Sequence, residues 1–252
     1  MMKLISLNVW GGVAGKEKLL DFFKSHNDVD IFCLQEVWNG GHEMIGRKAG
    51  GRPLSEIAHW LLTDISATLK DHAVYFRPQF KDYFGLTMFI KKNIVVRKEG
   101  ELFVYKDRGY FSEEDIGNHS RNIQYVSIDS NDGVRAVAHV HGLWNGQGKG
   151  DSPDRLLQSD NIVRFLNSVG SPYIFCGDLN LLPETESLKK IEAVGMRNLI
   201  AEFGITSTRS SLYTKPLRFA DYMFVSNGIE VKDFKVLPDE VSDHLALYLE
   251  FS

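Results

Sequence analysis

Cysteine is scarce in this chain: two, Cys33 and Cys176, among 252 residues. Each sits inside an apolar run (Asp-Ile-Phe-Cys-Leu and Tyr-Ile-Phe-Cys-Gly), so both read as buried, reduced thiols and not as a disulfide. Long apolar runs are missing as well. No stretch free of Asp, Glu, Lys and Arg exceeds 13 residues, well short of the roughly 20 apolar residues a bilayer-crossing helix needs. Nor does one sign of charge dominate. Twenty-nine basic side chains against 33 acidic ones give a net charge of −4, so any nucleic-acid binding has to come from a local patch or from metal ions. Repeats and low-complexity tracts are absent. The opening Met-Met-Lys-Leu-Ile-Ser-Leu-Asn carries one charge and no long apolar segment, so it reads as a first strand and not a signal peptide; a cytoplasmic location is the expectation.

What is present is a large core. The hydrophobic fraction is 43%, with sixteen Phe, nine Tyr and four Trp, which excludes a disordered chain. Short β-rich runs alternate with helical patterns from end to end, and no composition shift marks a linker. One domain spanning 1–252 with helices layered on sheet is expected. Residues 2–9 alternate Leu4, Ser6 and Asn8 against Ile5, Leu7 and Val9 as a strand does, and 30–35 form a buried strand. Further strands are predicted near 72–77, 84–90, 94–97, 101–105, 121–129, 134–141, 173–177, 219–225, 230–236 and 245–251. Helices are predicted near 16–26, 54–69, 153–168 and 184–194, the third starting on Ser152-Pro153, an N-cap followed by proline. Asp132-Gly133 marks a hairpin turn. Residues 39–53, with five glycines and Arg47, Lys48 and Arg52, read as a long exposed loop, and 106–120 as a second.

Polar residues fall where strands end. Asn8 closes the first strand and Glu36 the second. Asp178 and Asn180 follow Tyr-Ile-Phe-Cys-Gly and, at i and i+2, project to one side of an extended chain. His141 ends Ala-Val-Ala-His-Val-His, Asp221 interrupts an apolar strand, and Asp243-His244 precede the last one. Singly, each has a simpler explanation as a turn, cap or solvated residue, and of His139 and His141 one is expected to be an ordinary hydrogen-bonded histidine. Jointly they say more. Four carboxylates converging on one cleft cannot all stay ionised without a cation, and an oxygen-rich set of Glu, Asp and Asn suits Mg²⁺ or Mn²⁺ better than zinc. Histidines beside such a metal suit proton transfer and charge stabilisation.

The segments Ile-Ser-Leu-Asn-Val-Trp (5–10), Leu-Gln-Glu-Val (34–37), Ala-His-Val-His-Gly (138–142), Cys-Gly-Asp-Leu-Asn (176–180), Phe-Ala-Asp-Tyr-Met-Phe (219–224) and Val-Ser-Asp-His (241–244) together resemble the endonuclease/exonuclease/phosphatase superfamily. DNase I, AP endonucleases, inositol polyphosphate 5-phosphatases and deadenylases belong to it. The resemblance implies an α/β fold, a four-layer α/β/β/α sandwich of two mixed sheets with a cleft at one edge, and a metal-dependent phosphoesterase. It implies Glu36 as the main metal ligand with Asn8 and Asp243 close to the ion. His244 would be the general base, or a hydrogen-bond donor to the phosphate, oriented by Asp221; Asp178 would hold or deprotonate the attacking water; Asn180 would position water or phosphate; and His141 would stabilise the transition state or assist the leaving oxygen. The logic is also physical, since phosphate ester cleavage concentrates negative charge that a metal and histidines offset in place.

Departures from the family's motifs narrow the choice. His141 stands where AP endonucleases carry Tyr, and Leu181-Leu182 follow Asn180 where 5-phosphatases carry an aromatic residue and Arg. The leading expectation is a phosphodiesterase acting on nucleic acid, with Arg47, Lys48 and Arg52 on the first loop tracking a phosphate backbone and Trp38 and Trp144 offering stacking faces. The alternatives are hydrolysis of inositol phosphates, phospholipids or other small phosphoesters, and a non-catalytic binding module. A degenerate module would be expected to lack Glu36, Asp178 or His244, and none is lacking.

Overall fold

Side-chain alternation decides which residues of a strand share a face, and the computed structural model follows it through residues 1–49, 52–130 and 132–252, the portion described. The first half of the chain forms β1 (Met2–Asn8), α1 (Lys16–Ser25), β2 (Ile31–Trp38), β3 (Lys48–Ala49), β4 (Arg52–Pro53), α2 (Leu61–Thr68), β5 (His72–Phe80), β6 (Phe84–Lys91), β7 (Val96–Tyr105) and β8 (Arg121–Ser130). The second half forms β9 (Gly133–His141), α3 (Pro153–Ser168), β10 (Tyr173–Asp178), α4 (Glu186–Glu192), β11 (Arg197–Asn198), α5 (Leu199–Glu202), β12 (Asp221–Val225), β13 (Val231–Val236) and β14 (Leu247–Phe251).

Two mixed six-stranded sheets result, ordered β13-β14-β1-β2-β6-β5 and β11-β12-β10-β9-β8-β7. Leu4 of β1, Ile31 and Cys33 of β2 and Met88 and Ile90 of β6 face the second sheet in one core, with Val126, Val137 and Cys176 opposite. Ile5, Leu7, Phe32 and Leu34 point the other way, onto Leu19, Phe22 and Phe23 of α1 and Leu61 and Ile65 of α2. On the far side, Ile162, Phe165 and Leu166 of α3 and Leu188 and Ile191 of α4 cover the second sheet. This is the expected four-layer α/β/β/α sandwich. Each fully buried Leu, Ile or Phe contributes about 1.5–3 kcal/mol, and β1 and β2 are apolar on both faces because one packs on the second sheet and the other on helices. Both cysteines lie in the inter-sheet core, fully buried and unbridged.

Several boundaries differ from the sequence reading, each for a local reason. The helix expected over 54–69 is a single 3₁₀ turn at Leu54–Glu56, then α2 from Leu61, because Pro53 and Ile57 are both extended. The strands expected at 94–97 and 101–105 are one strand, β7, carrying two bulges. Gly100 does not break it; a Cβ there would lie 2.7 Å from Tyr125 Oη, so the glycine answers close packing against β8. Residues 39–53 are not wholly exposed. Trp38, Met44 and Leu54 join Phe80, Phe84 and Ile116 in a small satellite core, with Arg47 bonded to Glu113 of the second loop. Gly50, Gly51 and the hairpin-turn residue Asn131 lie outside the described residues. The helix α3 begins as expected, with Ser152 Oγ accepting from the Arg155 amide. Among the described residues no helix is long and apolar enough to cross a membrane.

Candidate active site

Strand register builds the site. In the second sheet Asp178, at the end of β10, pairs directly with His141 on β9 and with Asp221 on β12. In the first, Asn8 ends β1 opposite Gln35 of β2. The two sheets meet at this end, where Asn8 Nδ2 donates to both Glu36 Oε1 (2.9 Å) and Asp178 Oδ2 (3.0 Å).

Glu36 is the least expected placement. Continuing the alternation of Ile31, Cys33 and Gln35 would send it to the helix-covered face. A bulge between Leu34 and Val37 and a left-handed φ of 59° at Glu36 turn it onto Asn8 instead, a strained conformation that costs on the order of 1 kcal/mol and marks functional positions. Gln35 stays inward, donating to His139 Nδ1 (3.0 Å), while His139 Nε2 meets Gln124 Oε1 (2.8 Å). His139 is thus the ordinary histidine of the pair, held neutral by burial that pushes its pKa down to about 3.

His244 is fixed by Asp221, whose carboxylate oxygens accept from Nδ1 at 2.9 and 2.8 Å. That leaves Nε2 turned to Asp178 Oδ2 (3.6 Å) and Asp243 Oδ1 (3.7 Å). Burial and Arg209 work against a proton on His244, but Asp221, Asp243 and Asp178 outweigh them and raise its pKa. His141 Nε2 lies 3.6 Å from Glu36 Oε1 and 3.8 Å from Asp178 Oδ2. Its pKa is driven well down by burial and by Arg121, so it is neutral at pH 7. Burial pushes Glu36 upward; Asp178, the more deeply buried of the two, is nonetheless held ionised by His244, Arg209 and Lys149. Asn180, at φ 54°, donates its backbone N–H to Asp178 Oδ1 (2.9 Å) and its amide to the Gly142 carbonyl (3.4 Å).

Among the described residues, two sets of three potential ligands have their donor atoms within 4.8 Å of one another inside each set: Glu36, His141 and Asp178, and Asp178, Asp221 and His244. Asp243 Oδ1 is buried with no hydrogen-bond partner, while its Oδ2 takes Arg209 Nη1 at 3.1 Å. An orphaned buried carboxylate oxygen beside this oxygen-rich set fits a hard divalent cation. Asn8 stands differently. Its Oδ1 accepts the Trp10 backbone N–H (2.9 Å), which can only donate, so it presents N–H and not oxygen to the carboxylates.

A cleft of about 190 Å³ opens over these residues. Trp38, Leu54, Phe80, Phe84 and Ile116 form its apolar wall, and Trp10, Trp144, Arg52, Tyr213 and Lys215 also line it. Of the loop cations only Arg52 lines the cleft, its guanidinium 4.1 Å over the Trp10 ring and bonded to Glu56 at 2.7 Å. Arg47 is taken by Glu113, and Lys48 faces solvent. Trp38 is buried and stacked on Tyr83, whereas Trp144 is half-buried under Lys215.

Among the cleft residues that were not foreseen, four are buried and ionisable: His119, Arg121, Lys149 and Arg209. Arg121 is 1% exposed, with Nε and Nη1 unpartnered and Nη2 on the Gly117 carbonyl; burial lowers its pKa to about 10. Lys149 Nζ donates to the Phe219 carbonyl (2.9 Å), and burial with Arg209 lowers its pKa to about 8. The Arg209 guanidinium carbon lies over the Tyr213 ring, 4.2 Å from its centroid. Nothing local distinguishes such cations from solvated ones; only Arg121, opening a strand between Ser120 and Asn122, carried a weak signal.

Comparisons with known proteins agree with this fold. The model of the Endonuclease/Exonuclease/phosphatase family matches residues 5–244. Among solved structures, a mannosyl-6-phosphatase from Bacteroides thetaiotaomicron is similar at 16% identity and TM-score 0.72, with all of both chains covered. D. rerio TDP2 complexed with single strand DNA product is similar at 14% identity and TM-score 0.71, covering 100% of this chain and 98% of that one. The human Nocturnin catalytic domain with bound sulfate is similar at 16% identity and TM-score 0.68, covering 100% and 93%. No curated protein matches the sequence.

Proposed function

Because the chain belongs to the endonuclease/exonuclease/phosphatase family, whose fold serves phosphoester hydrolysis, we propose that it is a divalent-metal-dependent phosphoesterase acting on a compact phosphoester. The observation that carries this reading is the joining of strand ends: Glu36, Asn8, Asp178, His141, Asp221 and His244 meet within hydrogen-bonding or near-contact distances at one edge of two sheets.

Glu36 and Asp243 would hold a Mg²⁺ or Mn²⁺ ion, with Asn8 keeping Glu36 in place; the bound ion supplies charge for the phosphoryl oxygens. Asp178, ionised and aimed between the two histidines, accepts the proton of the attacking water. His244, locked by Asp221, donates from Nε2 to a phosphoryl oxygen as charge builds there. His141, neutral, offers a second donor, able to protonate the ester oxygen that leaves as its bond to phosphorus breaks, and Asn180 fixes the Asp178 carboxylate.

The size of the cleft and the diversion of Arg47 to Glu113 favour a small ester over the interior of a long polyanion. A nucleic-acid end is the second reading, favoured by Trp10 and Trp144 at the cleft with Arg52 and Lys215 on their faces. Hydrolysis assays across p-nitrophenyl esters, sugar and inositol phosphates, nucleotides and single-stranded DNA, with and without Mg²⁺ or Mn²⁺, test both. Turnover undiminished by exhaustive chelation contradicts the metal assignment. Turnover of DNA alone, weakened by Arg52→Ala through KM, replaces the first reading by the second.

A further inference from the structure

The charges around the cleft do not stop at the residues that hold metal and water. Asp221 and His244 close on one another. That leaves three carboxylates, Glu36, Asp178 and Asp243, facing three buried cations, Arg121, Lys149 and Arg209. The two sets cancel, Arg52 is paired with Glu56 and Lys215 is solvent-exposed, so a bound dication would leave the buried part of the site two charges positive. A phosphodiester brings one negative charge, and a phosphomonoester at neutral pH brings close to two.

The donors count the same way. Arg121 lines the cleft at 1% exposure with Nε and Nη1 unpartnered, and Arg209 Nε is unpartnered at 6% exposure. Lys149, 2% exposed, spends one of three N–H groups on the Phe219 carbonyl. A buried guanidinium with unmet donors costs stability unless something satisfies it, and a phosphoryl group with three free oxygens supplies more acceptors than a diester with two. Tyr213 carries Arg209 on its ring and lies 5.5 Å from Lys149 Nζ, holding both on one side.

We propose that Arg121, Lys149 and Arg209 form a floor that receives a terminal, dianionic phosphoryl group, so that the substrate is a phosphomonoester. This rests on the phosphoesterase reading and narrows it.

The test pairs a binding and a kinetic measurement. Calorimetry should show inorganic phosphate binding to the Mg²⁺-loaded protein, weakened about tenfold or more by Lys149→Met and partly restored by Lys149→Arg. The kcat/KM for p-nitrophenyl phosphate should exceed that for bis(p-nitrophenyl) phosphate, and Lys149→Met should lower that ratio about tenfold. Lys149 is chosen because loss of Arg121 from the interior endangers folding; a normal cooperative melt of Lys149→Met qualifies it. Preference for the diester, an unchanged ratio, or phosphate binding indifferent to Lys149 overturns the inference while leaving a phosphoesterase in place. Hydrolysis of neither ester, with phosphate still bound through Lys149, overturns the activity and supports the floor.

Discussion

Lys149→Met should make the protein more stable. The lysine is 2% exposed, and burial together with Arg209 lowers its pKa from 10.5 to about 8 despite the pull of Asp178, Asp221 and Asp243. Carrying that charge into the fold costs roughly 3 kcal/mol. Methionine removes the charge at similar volume but strands the Phe219 carbonyl, now bonded to Nζ, at about 1 kcal/mol. The net gain is about 2 kcal/mol at pH 7, or roughly 4–8 °C in Tm for a chain of this size. The gain also has a pH signature. Between about 8 and 10.5 the unfolded lysine keeps a proton that the folded one has lost, so the wild type gains stability as pH rises through that window. The variant does not, and the difference between the two should shrink from pH 8 upward. Calorimetric melts of both proteins without added metal, from pH 7 to 10, measure it. A variant that melts below the wild type at pH 7, or a difference that ignores pH, refutes the reasoning. A stabilising loss of a cleft cation is also what a residue kept for binding should show.

Other outcomes follow from the same geometry. Mg²⁺ or Mn²⁺ should raise the wild-type Tm, and Glu36→Gln should abolish that rise without lowering the metal-free Tm, since burial already opposes the Glu36 charge; a retained metal response would move the ion elsewhere. Asp221→Asn and His244→Ala should each reduce kcat by about a hundredfold or more, and the double variant should be little worse than His244→Ala alone because Asp221 acts through the imidazole. Multiplying losses would show two independent roles. Cys33 and Cys176, both fully buried, should resist thiol reagents until the protein is unfolded and should run as free thiols in non-reducing mass spectrometry.

The architecture was legible in the sequence because two periodicities carry it. Leu4, Ser6 and Asn8 against Ile5, Leu7 and Val9 is a period-two pattern that makes the segment a strand, and both of its faces are buried, one against the second sheet and one against the helices. The site was legible as a set of polar residues at strand ends. Asn8, His141 and Asp178 are the last residues of β1, β9 and β10, Asp221 opens β12 and His244 precedes β14, whereas Glu36, expected to close its strand, lies inside β2 at the bulge. All six do converge at one edge of the two sheets.

Some features needed the assembled fold. Alternation along 31–36 points Glu36 at the helices, and only a bulge and a left-handed φ, imposed where β2 pairs with β6, return it to the cleft. Arg47, Lys48 and Arg52 look alike on a glycine-rich loop, yet packing of that loop onto Phe80, Phe84 and Ile116 leaves Arg52 at the cleft and gives Arg47 to Glu113. Lys149 and Arg209 stand in polar segments where a charged side chain is ordinarily solvated. Local sequence determines what a residue prefers and which residues of a strand share a face; burial of a charge depends on what distant segments place around it. For Lys149 and Arg209 the tertiary structure decided, by closing 144–149 and 207–215 over three carboxylates contributed by other parts of the chain.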